Sequence, residues 1–261
     1  EELDFTITGG VVTEKVLRNY LSRATTESEF LATQSKNCDH FWGVEDDERK
    51  ILNIGAKFIG RAGYQWNKEH FFNDDTWLAG WKTKIDRMHS KDPDIIFQAA
   101  VFEIVSTRVD QIAVPDWVFT AFGKTVQTRN FNYSKMCNPQ GTNVNYWGTG
   151  ASVPDMSQEE AQMWFYYMMV RYMETGIEAI HCGQMELMSS MGDAANGYAG
   201  YRRLFSLVRE AARTRARRGF VLLDAHTSGI VVGGEHLLDF CSYPLRLKEV
   251  PMSDCLEATL A

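Results

Sequence analysis

The sequence lacks the features that mark several large protein classes. Its five cysteines are scattered, and no two form a Cys-x-x-Cys pair, so we predict neither a disulfide-rich scaffold nor a zinc-ribbon site. No apolar run reaches the roughly 18 residues of a membrane helix, and we expect no membrane span. No basic-then-apolar leader opens the sequence. This leaves a cytosolic protein or one that has already been processed. We expect a secreted or periplasmic location, with a cytoplasmic one left open.

Two further gaps concern nucleic acids and nucleotides. The formal net charge is −7 at pH 7, whereas nucleic-acid-binding domains are usually basic, so we expect no nucleic-acid partner. No Gly-x-Gly-x-x-Gly motif follows a predicted strand, and the sequence has no Gly-Lys-Ser/Thr phosphate loop. We therefore predict no nucleotide and no other cofactor.

What the chain does contain is enough apolar residues for a large core. It is 44% hydrophobic over 261 residues, and its apolar residues recur at helical spacing or in short continuous runs. The predicted helices cover 13–24, 75–88, 157–172 and 198–217, the third opening on a capping box of Ser157 and Glu160. The predicted strands cover 56–63, 94–105, 177–186, 220–224 and 237–241. Gly233 and Gly234 indicate a small hairpin as an alternative to the last strand.

Strands and helices alternate along most of the chain, which is typical of α/β proteins with parallel strands. Polar residues follow several strands, as they do at the active-site face of a barrel enzyme. We therefore predict a single domain over 1–261 that forms a (β/α)8 (TIM) barrel, with an open doubly wound sheet as the alternative. About five strands are recognisable where a barrel has eight, so the barrel is incomplete in this chain or contains strands without a clear pattern. An N-terminal helical or irregular segment covers 1–50. A long aromatic-rich insert after the second strand, 106–156, is expected over the active-site face.

Three carboxylates follow predicted strands, namely Glu103, Glu186 and Asp224. Because the carboxyl ends of parallel strands meet at one face of a barrel, we expect these side chains over one opening. Cleavage of a glycosidic bond needs an acid that protonates the leaving oxygen and a second carboxylate that attacks the sugar or activates water. We interpret Glu186 as the acid and Asp224 or Glu103 as its partner. The simpler alternative is that each carboxylate caps a helix or pairs with an arginine.

Other polar and aromatic residues near these carboxylates are candidates for substrate binding. Gln184 is expected to share a strand face with Glu186, and His226 with Asp224, because side chains alternate along a strand. Flat aromatic rings suit the apolar faces of sugar rings. As a structural alternative, the aromatic residues of the insert form a satellite core. The predicted substrate-binding residues are Arg61, Gln184, His226, Trp117, Tyr146 and Trp147.

Three stretches give the chain a resemblance to a known class of enzymes. They are Phe-Ile-Gly-Arg-Ala-Gly at 58–63, His-Cys-Gly-Gln-Met-Glu-Leu-Met at 181–188 and Leu-Asp-Ala-His at 223–226. Through them the chain resembles (β/α)8-barrel glycoside hydrolases of the bacterial polysaccharide-degrading type. The resemblance implies a barrel fold, a carbohydrate substrate and hydrolysis of O-glycosyl bonds.

Two other functions stay open. A metal-dependent hydrolase would use Asp224, His226, Glu186 and His181 as ligands, since mixed imidazole and carboxylate ligands suit Zn, Mn or Fe. The sequence lacks His-x-His and His-Glu-x-x-His, and the leading hypothesis includes no metal. A non-catalytic carbohydrate-binding barrel is the other alternative, favoured by the small number of strands. No pattern in the sequence indicates an oligomeric state.

Overall fold

The computed structural model of the chain describes residues 3–28, 30–32 and 44–242, together with the strands at 247–249 and 258–260. The strands are β1 (Ala24–Thr26), β2 (Phe58–Tyr64), β3 (Ile96–Ala100), β4 (Val105–Ser106), β5 (Ala151–Ser152), β6 (Ala179–His181), β7 (Leu222–Asp224), β8 (Val231–Val232), β9 (Glu235–His236), β10 (Leu247–Glu249) and β11 (Ala258–Leu260). The α-helices are α1 (Glu14–Ser22), α2 (Val44–Asn53), α3 (Asp75–His89), α4 (Asp116–Ala121), α5 (Glu159–Met173), α6 (Met185–Ser189) and α7 (Ala199–Arg215). Short 3-10 helices cover Glu69–Asn73, Thr107–Gln111 and Tyr133–Lys135. None of the helices in the described part of the chain is both long and apolar enough to cross a bilayer.

Five strands form one parallel sheet, and their order in the sheet is their order in the chain: β1, β2, β3, β6 and β7. Helices α3, α5 and α7 lie in the connections between consecutive strands from β2 onward, as crossovers between parallel strands require. The predicted α/β class with parallel strands is therefore confirmed. No ladder among the described residues joins β1 to β7, so closure into an eight-stranded barrel stays a prediction.

The two faces of the sheet pack against different layers because side chains alternate along each strand. Consecutive residues of β3 illustrate this. Phe97 is buried in the larger core with Trp81 of α3 and Trp164 of α5. Its neighbour Ile96 is buried in a smaller core on the opposite face, with Tyr20 of α1. Both faces are covered, which accounts for the near-continuous apolar runs that predicted the strands.

The first strand of the sheet was not predicted. The segment 1–50 was expected to be helical or irregular, but Ala24–Thr26 pairs with β2. Three residues, two of them threonine, are too few to show a strand pattern. As a consequence, the insert 106–156 follows the third strand of the sheet and not the second. The predicted strand 94–105 also ends at Ala100, because residues 105–106 pair antiparallel with β5.

The predicted strand at 237–241 is not a regular strand, although the chain there runs beside β7. The backbone N–H of Asp239 donates to the carbonyl of Leu223 at 2.9 Å, but the N–H of Leu223 donates to the Asp239 carboxylate at 2.7 Å. A side chain thus replaces one main-chain partner and interrupts the ladder. The hairpin alternative fits better, because β8 and β9 pair antiparallel around Gly233 and Gly234.

The predicted capping box at the start of α5 is wrong. The helix begins at Glu159 after Gln158, whose side chain makes no capping hydrogen bond. The Ser157 hydroxyl donates instead to Asp155 at 2.7 Å. Glu160 reaches away from the helix start and pairs with Arg129 at 2.6 Å. An ion pair to a neighbouring segment therefore replaces the local cap.

The predicted strand 177–186 ends early. β6 stops at His181, Gly183 follows with a left-handed φ of 52°, and α6 starts at Met185. Gln184 and Glu186 therefore lie in a turn and in the first turn of a short helix. The prediction that they share a strand face is wrong.

Candidate functional site

The carboxyl ends of four neighbouring strands bring most of the predicted site residues together. β2, β3, β6 and β7 are adjacent and parallel, so the residues at their ends share one edge of the sheet. We call this region the carboxyl edge. Of the residues predicted from the sequence, it contains Arg61, Glu103, Gln184, Glu186, Asp224 and His226.

An irregularity in β2 places Arg61 at the carboxyl edge. The register of β2 against β3 shifts between Ile59 and Gly63, and Arg61 has a left-handed backbone with φ 52°. Its backbone N–H donates to Oε1 of Gln98 at 3.0 Å, and its guanidinium hydrogen-bonds to the imidazole of His226. A residue with a Cβ is strained in this conformation, and the two hydrogen bonds hold Arg61 in it at the carboxyl edge.

Asp224 is fully buried at the end of β7 and accepts three hydrogen bonds. Gln98 Nε2 donates to Oδ1 at 2.6 Å, His181 Nδ1 lies 2.8 Å from Oδ2, and the Ser242 hydroxyl also donates to Oδ2. A buried carboxylate is tolerated when its oxygens are paired in this way. In this arrangement Asp224 supports neighbouring side chains and lies beneath the surface of the edge.

Glu103 is also buried, with 4% of its surface exposed. Both of its oxygens are bound by Gln184, whose backbone N–H donates at 3.0 Å and whose side-chain amide donates at 2.8 Å. A Cβ at residue 183 would lie 2.5 Å from Oε2 of Glu103, so the close approach of this carboxylate requires Gly183. Gln184 is itself exposed and forms the outer side of the pair.

Glu186 is the exposed carboxylate of the three. It lies in the first turn of α6, and the hydroxyl of Thr227 donates to Oε1 at 2.6 Å. Thr227 follows β7, so this hydrogen bond ties α6 to the end of the neighbouring strand. Glu186 can therefore meet a ligand in solution while its position is held from one side.

Aromatic rings extend the carboxyl edge on the side of β2 and β3. Trp66 packs edge-to-face against Trp147 and Phe102, with ring centroids 5.1 and 5.6 Å apart. Tyr146 packs against Trp147 at 4.7 Å, and Nε1 of Trp147 donates to the backbone carbonyl of Glu103 at 2.7 Å. We call Trp66, Phe102, Tyr146 and Trp147 the aromatic platform. The platform is thus bonded directly to the residue that carries the Glu103 carboxylate.

Trp117 lies elsewhere. It belongs to α4 and stacks on Tyr167 of α5, with centroids 5.8 Å apart and an interplanar angle of 24°. The guanidinium of Arg215 at the end of α7 lies 4.4 Å from its ring centroid. These contacts place Trp117 among the helices, and the structure does not bring it together with the other predicted site residues.

Several members of the site were not predicted from the sequence, among them Gln98, Trp66 and Phe102. Gln98 is a buried polar residue inside an apolar strand, and this interruption of the pattern was a usable signal. Trp66 and Phe102 each follow a strand end by two residues, the kind of position that singled out Glu103. The sequence alone gives no distance between these rings and Trp147, which lies in a distant part of the insert.

Two of the residues proposed as metal ligands, His226 and Asp224, are bound to other side chains. No group of three or more His, Cys, Asp or Glu side chains arranged to hold a metal ion occurs in the part of the chain that the structure describes. His226 Nε2 contacts Arg61, and both oxygens of Asp224 accept hydrogen bonds. Burial strongly raises the pKa of the neighbouring Cys182 thiol, so this cysteine stays protonated and is a poor nucleophile.

Of the comparisons with known proteins, the one with solved structures finds similar proteins. No protein-family model matches the chain, and no curated protein matches it either. Solved structures of a debranching enzyme from Nostoc punctiforme are similar at 10% identity with a TM-score of 0.41, covering 77% of this chain. The acarbose-soaked form gives 10% identity and a TM-score of 0.42, and the native form 11% and 0.41, each covering 72% of this chain. The chain spans about two fifths of the length of these proteins, 42%, 40% and 39% respectively. Similarity at this level establishes neither a shared fold nor a shared activity.

Proposed function

We propose that the protein is a carbohydrate-active enzyme that binds an oligo- or polysaccharide at the carboxyl edge and hydrolyses a glycosidic bond there. The observation that carries the proposal is the hydrogen bond from Nε1 of Trp147 to the backbone carbonyl of Glu103, which places the aromatic platform beside the residue that bears this carboxylate. Apolar faces of sugar rings pack on aromatic rings, while a few placed polar groups fix their orientation. The proposal includes continuation of the five-stranded parallel sheet into a barrel.

The proposed roles follow from exposure. Glu186 is accessible and acts as the proton donor to the leaving oxygen. Glu103 is its partner, covered by the exposed side chain of Gln184, which moves when the saccharide binds. Asp224 supports the site from beneath, in place of the direct role expected from the sequence. Arg61 and His226 contact the sugar hydroxyls next to the platform.

A second candidate function is carbohydrate binding without hydrolysis. The observation that favours it is the state of the carboxylates, because both oxygens of Glu103 and of Asp224 are occupied by hydrogen bonds. Only Glu186 is then available to a substrate, whereas hydrolysis needs two carboxyl groups. The same platform would hold the saccharide in both cases.

The deciding experiment is turnover of a polysaccharide and oligosaccharide panel by the pure protein. We expect wild-type hydrolysis of at least one substrate, and we expect Glu186→Gln to lower kcat by at least about 100-fold, the usual size of a general-acid contribution. Glu103→Gln is expected to act in the same direction. Glu210→Gln is the matched control, because Glu210 is exposed on α7, away from the carboxyl edge.

The outcomes of this experiment distinguish hydrolysis from binding without hydrolysis. Full activity in both Glu186→Gln and Glu103→Gln contradicts the assigned roles. Saccharide binding without turnover supports the second candidate. Neither binding nor turnover on any member of the panel rejects both.

A further inference from the structure

His181 has a buried ring atom that the proposed roles do not use. The side chain is 1% exposed, and Nδ1 lies 2.8 Å from Oδ2 of Asp224. Nε2 is buried and has no hydrogen-bond partner among the residues that the structure describes. A buried polar atom without a hydrogen-bond partner is unfavourable. A ligand group that donates a hydrogen bond to Nε2 would therefore bind favourably.

The direction of each hydrogen bond around His181 can be derived. The backbone N–H of Arg61 is a donor, so the atom of Gln98 that it meets is the amide oxygen. The amide nitrogen of Gln98 therefore donates to Asp224. Asp224 is an acceptor, and the proton of a neutral His181 consequently lies on Nδ1. This leaves a lone pair on Nε2, which can accept a hydrogen bond.

The surroundings of His181 connect it to the carboxyl edge. The ring of His226 lies 4.4 Å from the ring of His181, centroid to centroid. Phe102 of the aromatic platform lies 6.3 Å away. Both neighbours are partly exposed, so the buried ring of His181 contacts side chains that reach the surface where the saccharide is proposed to bind.

We infer that His181 is a saccharide-binding residue whose Nε2 accepts a hydrogen bond from a sugar hydroxyl, and that Asp224 and Gln98 are positioning residues that hold it in the Nδ1–H form. The inference rests on the proposed saccharide site. Because Nε2 is buried in the free protein, the hydroxyl enters when a covering ring, His226 or Phe102, turns aside. A neutral hydroxyl donor is the chemical class that this lone pair selects.

The test is long-range ¹H–¹⁵N NMR of the six histidines at neutral pH, with His181 assigned by loss of its signals in His181→Gln. We expect the Nδ1–H tautomer in the free wild type. Maltohexaose, cellohexaose and xylohexaose are then added in turn, and the one that binds is expected to move the Nε2 resonance of His181. The exposed His70 and His236 serve as internal controls and are expected to stay in place. His181→Gln should bind the same oligosaccharide about tenfold more weakly, as expected for one hydrogen bond.

Asp224→Asn tests whether residue 224 sets the tautomer of His181. The readout is a change of tautomer, which a loss of stability alone would not produce. Gln98 still donates to Oδ1, so the new amide nitrogen faces Nδ1 of His181 and the ring proton moves to Nε2. Combining Gln98→Leu with Asp224→Asn removes the donor that orients the new amide, so this double variant is expected to show a mixture of the two tautomers.

The outcomes separate this inference from the proposed function. An Nε2–H tautomer in the free wild type, or oligosaccharide binding that leaves the Nε2 resonance unmoved, overturns the inference while the saccharide site stands. No binding of any of the three oligosaccharides, together with failure on the wider panel, overturns both.

Discussion

The backbone of Arg61 is held in the left-handed region at the irregularity of β2, with φ 52°. A residue with a Cβ is strained there, whereas glycine is not. We predict that Arg61→Gly is about 1 kcal/mol more stable than Arg61→Ala, although both lose the hydrogen bond to His226. Urea denaturation of the two variants measures the difference, and both are expected to lose saccharide binding.

Ser206 provides the matched control for Arg61. It is exposed in the middle of α7, where the backbone is helical and glycine is unfavourable. There the order reverses, and Ser206→Gly should be about 1 kcal/mol less stable than Ser206→Ala. If Arg61→Ala were as stable as Arg61→Gly, the left-handed conformation would carry no strain.

At the scale of residues, the sequence predicted which carboxylates follow strands of the sheet but not what they contact. The alternation of strands and helices along the chain indicated parallel strands, and this was enough to place Glu103, Glu186 and Asp224 at one edge of the sheet. The burial of Asp224 depends on Gln98 and Ser242, which come from distant parts of the chain. The pairing of Glu103 with Gln184 depends on a turn at Gly183, and no periodicity specifies that turn.

Helix α7 begins beside a buried carboxylate. Asp193 is 1% exposed and accepts hydrogen bonds from the backbone N–H groups of Gly200 and Tyr201 at 2.6 and 3.2 Å. Burial raises the pKa of Asp193 above its ordinary value of 3.8, although these hydrogen bonds oppose the shift. The folded chain therefore binds this proton more tightly than the unfolded chain does. We predict that the stability of the wild type relative to Asp193→Asn falls as the pH rises from 3.8 through the raised pKa.

Asp74, at the start of α3, gives the opposite sign and serves as the control. Hydrogen bonds from the side chain and backbone of Thr76 lower its pKa below 3.8. The stability of the wild type relative to Asp74→Asn should fall as the pH decreases through the lowered pKa. Chemical denaturation of the wild type and both variants across the acidic range checks the two slopes. Slopes of the same sign would show that burial does not govern Asp193.

At the scale of elements, four amphipathic helices were predicted, whereas the ten-residue helix α2 and several shorter elements were not. The predicted helices near α1, α3, α5 and α7 are present, because apolar periodicity over several turns reports burial directly. β1 and α6 are three and five residues long, too short for any period to show. The start of α5 was predicted from a local motif, but the ion pair of Glu160 with Arg129 is a tertiary contact that sequence spacing does not reveal.

A buried ion-pair cluster lies at the opposite end of the sheet and links three segments of the chain. Glu178 is fully buried before β6 and accepts hydrogen bonds from Arg218 at 2.9 and 2.7 Å and from Arg217 at 3.0 Å. Arg218 also donates to the Tyr20 hydroxyl of α1 at 3.1 Å. The cluster thus joins β6, the segment after α7 and the N-terminal helix.

We predict that Glu178→Gln lowers the free energy of unfolding by about 3 kcal/mol. Removing one partner leaves two guanidinium groups partly buried without their counter-charge, and breaking a buried pair typically costs about 3–5 kcal/mol. Partial exposure of both arginines places the expected value at the lower end. Urea denaturation measures it, with Glu210→Gln as the control, since the exposed pair of Glu210 with Arg213 should contribute less than about 1 kcal/mol. Equal effects in the two variants would show that the cluster is no more important than a surface pair.

At the scale of the whole molecule, the central claim is that a saccharide binds on the aromatic platform at the carboxyl edge. Affinity electrophoresis in gels containing a polysaccharide from the panel tests it most directly, with Trp147→Ala compared against Trp117→Ala. We predict that Trp147→Ala weakens retention at least about tenfold and stays folded by thermal denaturation. Trp117→Ala should unfold at a lower temperature, because its ring packs among the helices, yet keep wild-type retention. Undiminished retention in Trp147→Ala, or loss of retention in folded Trp117→Ala alone, would contradict the account.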